Sequence, residues 1–350
     1  MTSRIPLPVL LVAFYLGCSD SPVTIPAPDD VAIRLVVDVT RDLPERPQGI
    51  AVTPDGRFVL VATYWGFEVL LLDAGSLETV TSTAMHFPWG ITVDPGGQRV
   101  WVAGRHNSVA LALPGLEEIA QVPLGTRTLV QGVQSNTLYG IDPSAGQVVR
   151  LDAITGETLA SLAHPSVHQD TACLALANGQ ALLAGNGDGP LLVLDPLDLR
   201  LEREIALPSG CWAVVPLDDD GKALVLSGDR DSRGQYPTAS VVDWRTGGSR
   251  QLSVPRPSAS ALPFTEYGYG NPWVRVEDLI FAPGRQGILV ADARNGEVLE
   301  FIEGTPSTED TVYCCEIAWD PVRRRLLIVG DYLDGSSSAG SKLVSYRIDR

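Results

Sequence analysis

Apolar residues in this chain come in short runs of four to six, each closed by glycine, proline, aspartate or asparagine, and the arrangement returns about every 40 residues. Gly49-Ile50-Ala51-Val52-Thr53-Pro54-Asp55-Gly56 is followed by Gly90-Ile91-Thr92-Val93-Asp94-Pro95-Gly96-Gly97, and weaker copies continue toward the C-terminus. Runs of this length read as strands and the breaks as turns. The first unit predicts strands over Gly49–Val52, Phe58–Ala62, Glu68–Leu72 and Glu78–Thr83. No helical period occurs after the N-terminal segment.

Aligning the copies gives seven units, with first strands near Gly49–Val52, Gly90–Val93, Leu129–Val133, Thr171–Leu176, Cys211–Val215, Asp278–Phe281 and Glu316–Trp319. Four antiparallel strands per unit, repeated around an axis, predict an all-β, seven-bladed β-propeller over residues 31–350. The last unit ends one strand short, after Lys342–Ile348, while Ala32–Asp38 has no partner in the first. The N-terminal segment is therefore expected to complete the last blade as its outer strand and to remove two free edges. The Tyr332–Ser341 segment reads as a polar loop with a hairpin tip at Asp334–Ser338.

The N-terminus has a different pattern. Arg4 precedes an apolar run from Ile5 to Leu16, too short to span a bilayer and suited to a signal-peptide core. It ends on Leu16-Gly17-Cys18, which resembles the bacterial lipoprotein box, with Tyr15 where that pattern prefers leucine. The resemblance implies a signal peptide over 1–17, lipidation of Cys18 and a tether over 18–30 rich in proline and acids. A plain secretory signal is the alternative. The implied location is the bacterial cell envelope, at the outer membrane or periplasmic face, or else secreted.

The runs Pro47-x-Gly49-Ile50-Ala51-Val52-Thr53-Pro54-Asp55-Gly56 and Pro88-x-Gly90-Ile91-Thr92-Val93-Asp94-Pro95 resemble the repeat of the YVTN bacterial propellers, relatives of the NHL and lactonase-like groups. That resemblance implies a fold and an envelope setting. It does not imply a chemistry, because the wider group includes lactonases, lyases, scaffolds and surface proteins.

Composition narrows the partners. With 42 acidic and 26 basic residues the 350-residue chain carries a formal charge of -16, spread without an acidic block. This excludes nucleic acid as the main partner, which needs clustered cations. A monomeric body is expected.

Residues that precede or open the first strands would gather at the channel mouth: Arg46, His86, Arg127, His168, Asp170, Arg275, Glu277 and Glu316. The arginines could fork onto a carboxylate or phosphate, and the histidines and acids could hold calcium or another divalent ion. Alternatively, these charges pair with one another and hold neighbouring blades together. The resemblance to lactonases implies acids and amides around calcium, and no matching asparagine stands on these strands. There is no Gly-x-Ser-x-Gly elbow, phosphate loop or His-Glu-x-x-His. His106 falls in a predicted hairpin turn open to solvent, and His164 in a loop.

Cys173, Cys211, Cys314 and Cys315 follow the lipobox cysteine. Buried inert thiols are the simplest reading, with a vicinal bond between Cys314 and Cys315 or a bond to a distant cysteine also open. The stretched interval between the fifth and sixth units holds the insertion Pro255–Trp273, whose Tyr267, Tyr269 and Trp273 suit a recognition loop or a plug over the channel. These readings favour a non-catalytic binding or scaffold module with an envelope protein, peptide or glycan partner and no cofactor. The alternative is a lactonase-like hydrolase or lyase working at the channel mouth.

Overall fold

The computed structural model describes residues 33–349 except 45, 134–135, 168–170, 187–188, 209, 212, 219–220, 228–237, 255–272, 285–286, 304–310 and 335–336. The readings of the leader, Cys18 and the tether, of His168 and Asp170, and of Tyr267 and Tyr269 fall outside the described residues. The side chains of Cys314 and Cys315 do so too.

Seven four-stranded antiparallel sheets follow one another along the chain as blades. Blade one is Pro47–Val52, Phe58–Thr63, Glu68–Asp73 and Thr79–Ala84, from the axis outward. The other inner strands are Pro88–Val93, Leu129–Gln131, Thr171–Ala177, Ala213–Pro216, Val274–Val276 and Thr311–Asp320. Blade seven takes its outer strand from the N-terminus. Arg34–Leu43 pairs antiparallel with Ser337–Asp349, from Arg34 opposite Asp349 to Leu43 opposite Ser341. The closing strand is thus five residues longer at its C-terminal end than the apolar pattern of Ala32–Asp38 marks, because backbone pairing continues beyond the apolar run. Its register shifts between Val37 and Val39, a bulge that brings the Asp38 carboxylate 3.9 Å from the buried Arg325.

The core lies between blades. Seven apolar clusters each join one blade to the next, and the strands feed both faces. In blade one, Val59, Val61, Leu70 and Leu72 face blade seven, whereas Leu60, Val69 and Leu71 face blade two. Burial on both faces explains why the strands read as continuous apolar runs with little alternation. The closing strand sends Leu35 into the cluster between blades six and seven and Leu43 into the next.

Near the axis the inner strands crowd one another. A β-carbon on Gly49 would stand 2.1 Å from the Trp89 carbonyl oxygen, and one on Gly90 2.6 Å from that of Arg127. The glycine of the repeat is therefore the position where one blade's backbone meets the next.

Two elements depart from the sequence reading. Asp278–Phe281, expected as the sixth first strand, belongs to the second strand, Leu279–Gly284, which pairs with Val274–Val276 on one side and Gly287–Asp292 on the other. A three-residue inner strand with arginine at its centre carries almost no apolar signal. The Tyr332–Ser341 segment is mostly strand. Arg325–Asp334 and Ser337–Asp349 pair as far as Asp334 opposite Ser337, so blade seven has strands of ten and thirteen residues.

Cys173 and Cys211 form a disulfide between blades four and five, with 6.4 Å between their α-carbons. This replaces the expectation of inert thiols at these two positions. Their place at the axial ends of adjacent inner strands brings them together.

Two predictions follow from this packing. Gly49→Ala should lower stability by about 1–3 kcal/mol through backbone overpacking, whereas Gly96→Ala, whose added carbon meets nothing nearer than 3.6 Å, should leave it unchanged; urea unfolding measures both. Replacing Cys173 and Cys211 together by serine should cost ~4 kcal/mol by the loop-entropy argument for a separation of 38 residues, read as a fall in Tm that reduction of the wild type reproduces.

Candidate functional site

The two ends of the ring differ. On the upper face, where the chain enters the inner strands, the turn before the strand in blades one and two is set by a left-handed residue ahead of a proline. Arg46 has φ 56° before Pro47, and Phe87 φ 50° before Pro88. The Arg46 carbonyl accepts from the Tyr64 amide at 2.9 Å, and that of Phe87 from the Arg105 amide at 3.2 Å. These bonds lock the second hairpin of blades one and two against the inner strand. They bring Tyr64–Phe67 and Arg105–Asn107 to the rim beside Arg46, His86 and Arg127.

The aromatic groups of blades one and two meet there. Tyr64 stacks on Trp89 at 5.7 Å with planes 4° apart. His86 lies between Phe67 at 5.6 Å and His106 at 5.7 Å. Trp65 and Phe67 remain 44% and 39% exposed. Arg127 lies over the Trp89 ring and Arg105 over Phe87, each within cation–π range. Tyr64, Trp65, Trp89, Arg105 and Arg127 border a cleft of about 790 Å³ that spans blades one to three. Three arginines and His106 line it, and among the described residues no carboxylate does. In a chain of net charge -16 the described lining of this cleft is cationic.

The lower face is stitched shut. Side chains of one blade reach the outer turn of the next: Arg325 donates to the Ala74 carbonyl, Trp101 Nε1 to Ala153 at 3.0 Å, and Tyr139 to Pro196 at 2.8 Å. Arg275 and Glu277 belong here, away from Arg46, His86 and Arg127. Their expected place at the upper mouth came from the displaced first strand of unit six. Arg275 makes a two-pronged ion pair with Asp218 of blade five, and Glu277 meets Arg324 of blade seven at 2.7 Å. Both contacts join neighbouring blades.

Between the faces runs an axial bore of about 340 Å³, lined by Ile50, Ile91, Thr128, Trp273, Arg275 and Glu316 among others. Glu316 is 5% exposed. Burial pushes its carboxyl up to about 8, against the hydrogen bond from the Ile50 amide, which favours the charged form. Trp273, the one described member of the expected recognition triad, packs against the core of blades five and six and lines the bore. Among the described residues no three His, Cys, Asp or Glu side chains cluster as metal ligands.

The structure thus brings Arg46 and Arg127 into one cleft, places His86 in the aromatic cluster at its rim, puts Glu316 in the bore, and moves Arg275 and Glu277 to the opposite end. Sequence reading passed over Tyr64, Trp65, Phe67, Trp89, Arg105 and His106 as rim residues. The available signal was the density of aromatics at Tyr64-Trp65-Gly66-Phe67 and Phe87-Pro88-Trp89, both at predicted turns of the same face.

No protein-family model matches this sequence, and no curated protein does. Among solved structures the chain is similar to hydrazine synthase of Kuenenia stuttgartiensis, at 14% identity and TM-score 0.65, over 83% of this chain and 94% of that one. At that identity the likeness is one of fold, and it defines a β-propeller. No helix among the described residues is long and apolar enough to cross a membrane.

The Glu316 environment has a pH signature. The unfolded carboxyl titrates at 4.5 and the folded one at about 8, so in that window the native state retains a proton that the unfolded chain releases. Stability contributed by the protonated carboxyl is lost as pH rises through the window. Glu316→Gln should therefore gain Tm relative to wild type progressively from pH 5 to pH 8, in paired thermal melts.

Proposed function

We propose that this protein is a non-catalytic binding module of the cell envelope whose upper-face cleft takes a carboxylate-bearing saccharide. The observation that carries the reading is the cleft itself: an exposed aromatic ring, Trp65, beside three arginines and a histidine, on an otherwise acidic protein. Flat rings such as Trp65 offer apolar faces to a sugar ring, and the guanidinium groups offer paired donors to its carboxylates. The envelope setting is supported by the Leu16-Gly17-Cys18 box and the resemblance to the YVTN repeat; in this reading Cys18 carries the lipid anchor. The partner then lies in the same compartment, presented to a body held close to the membrane.

Titration calorimetry tests this with uronic-acid oligosaccharides, matched neutral oligosaccharides and polyglutamate. Acidic saccharides should bind, with affinity falling as salt rises. Trp65→Ala and Arg105→Ala should each weaken binding about tenfold or more. Equal binding of neutral sugars, unaltered affinity in both variants, or preference for polyglutamate would overturn the saccharide reading. Turnover of a lactone or of the saccharide, abolished by Arg105→Ala, would move the protein to the enzymatic alternative.

A further inference from the structure

We infer that a groove on the lower face, between blades three and four, binds a small monocarboxylate with a branched or cyclic apolar body, and that Arg150 receives its carboxylate. The groove lies at the opposite end of the ring from the upper cleft and does not depend on the reading given for that cleft.

The third strand of each blade has one position aimed at the next blade. Aligned by strand register, its occupants are Leu71, Ala110, Arg150, Val193, Val241, Val290 and Ser345. All but Arg150 are buried and uncharged, and Leu71, Ala110, Val193, Val241 and Val290 each pack into the apolar cluster shared with the following blade. Blade three alone puts a cation there. A guanidinium at a place built for apolar contact is costly unless an anion answers it. Arg150 donates through Nη1 to the Leu197 carbonyl, and among the described residues no carboxylate pairs with it. Its Nη2 is open to solvent and has no hydrogen-bond partner among those residues.

The space that Arg150 lines has a volume of about 400 Å³, at the lower end of the range for small-molecule sites. Tyr139, directly opposite Arg150 in the sheet, donates to the Pro196 carbonyl at 2.8 Å. Both side chains are thus pinned to one turn of blade four, and the guanidinium is in place before a ligand arrives. Val133, Leu176, Pro196 and Leu197 supply apolar walls. Val133 and Leu197 are 75% and 64% exposed, the most of any large apolar residues described, and they flank the same groove. Gln180 lines it as well; its Oε1 accepts from Arg245 of blade five, which leaves the amide N–H groups as donors.

This wall selects its occupant by charge and by shape. One guanidinium matches one carboxylate. Asp195 also lines the groove, with Oδ1 accepting from the Leu197 amide at 2.7 Å and Oδ2 3.9 Å from Arg200. It opens the outer turn as Asp73, Asp152, Asp243 and Asp292 do in other blades, so the turn accounts for it. A fixed negative charge in so small a space repels a second anionic group, which rejects dicarboxylates and phosphate dianions. The exposed valine and leucine require an apolar body behind the carboxylate.

Ligand-observed NMR and calorimetry on the folded protein test this with isocaproate and benzoate. Isocaproamide removes the charge, acetate the body, and succinate adds a second carboxylate. At least one of the two probes should bind, and each control should bind roughly tenfold more weakly or worse. Arg150→Leu, which restores the residue of blade one, should abolish binding. Leu197→Ser and Val133→Ser, at exposed positions, should each weaken it about tenfold with Tm unchanged, and they decide the matter if Arg150→Leu does not fold. Arg105→Ala should leave this binding intact, which separates it from failure of the upper cleft. No binding of either probe, equal binding of isocaproamide, or unaltered affinity in Arg150→Leu or in both serine variants would overturn the inference.

Discussion

Closure of the ring is the constraint on which the other features rest. Each blade buries both faces against its neighbours, so a missing contact anywhere would expose two apolar sheets at once. The strand Arg34–Leu43 prevents this by pairing with Ser337–Asp349 over nearly its whole length while feeding the clusters on both sides of blade seven. The two ends of the chain thereby stabilise each other, although they are the parts furthest apart in sequence. Non-local pairing of this kind is slow to form, because the loop it closes is almost the entire chain.

With the ring shut, its two faces are free to differ. The lower face is occupied by contacts between blades, from Arg325 and Trp101 to the Arg275–Asp218 pair. The upper face carries aromatic rings and cations on turns that the inner strands position, and some of those rings stay in solvent. Contacts between blades are thus concentrated at one end and exposed rings and cations at the other, joined by strands too crowded at Gly49 and Gly90 to admit a side chain.

The architecture was legible in the sequence where apolar runs and turn residues repeat. Seven units and the role of the N-terminal strand follow from Gly49–Gly56, its copies, and the incomplete last unit. The sixth unit was misphased because Val274-Arg275-Val276 is too short to register and the apolar Leu279–Phe281 takes its place. That one displacement put Arg275 and Glu277 on the wrong face. The cleft was legible only in part: Arg46, His86 and Arg127 mark it by their position before inner strands, but its rings sit in a turn, Tyr64–Phe67, whose tertiary neighbours no local pattern reveals.

Blade seven has one more consequence. Its inner strand and the hairpin beside it run about four residues beyond the level at which the other inner strands begin, which at ~3.3 Å per residue is about 13 Å of extra height. Ser341, low on that hairpin, is fixed to the rim by the Arg46 amide at 2.7 Å. The upper rim is consequently uneven, with a parapet on the blade-seven side of Arg46 and lower ground toward blades two and three. A nearly symmetric wheel thereby acquires one high side, built by backbone pairing alone.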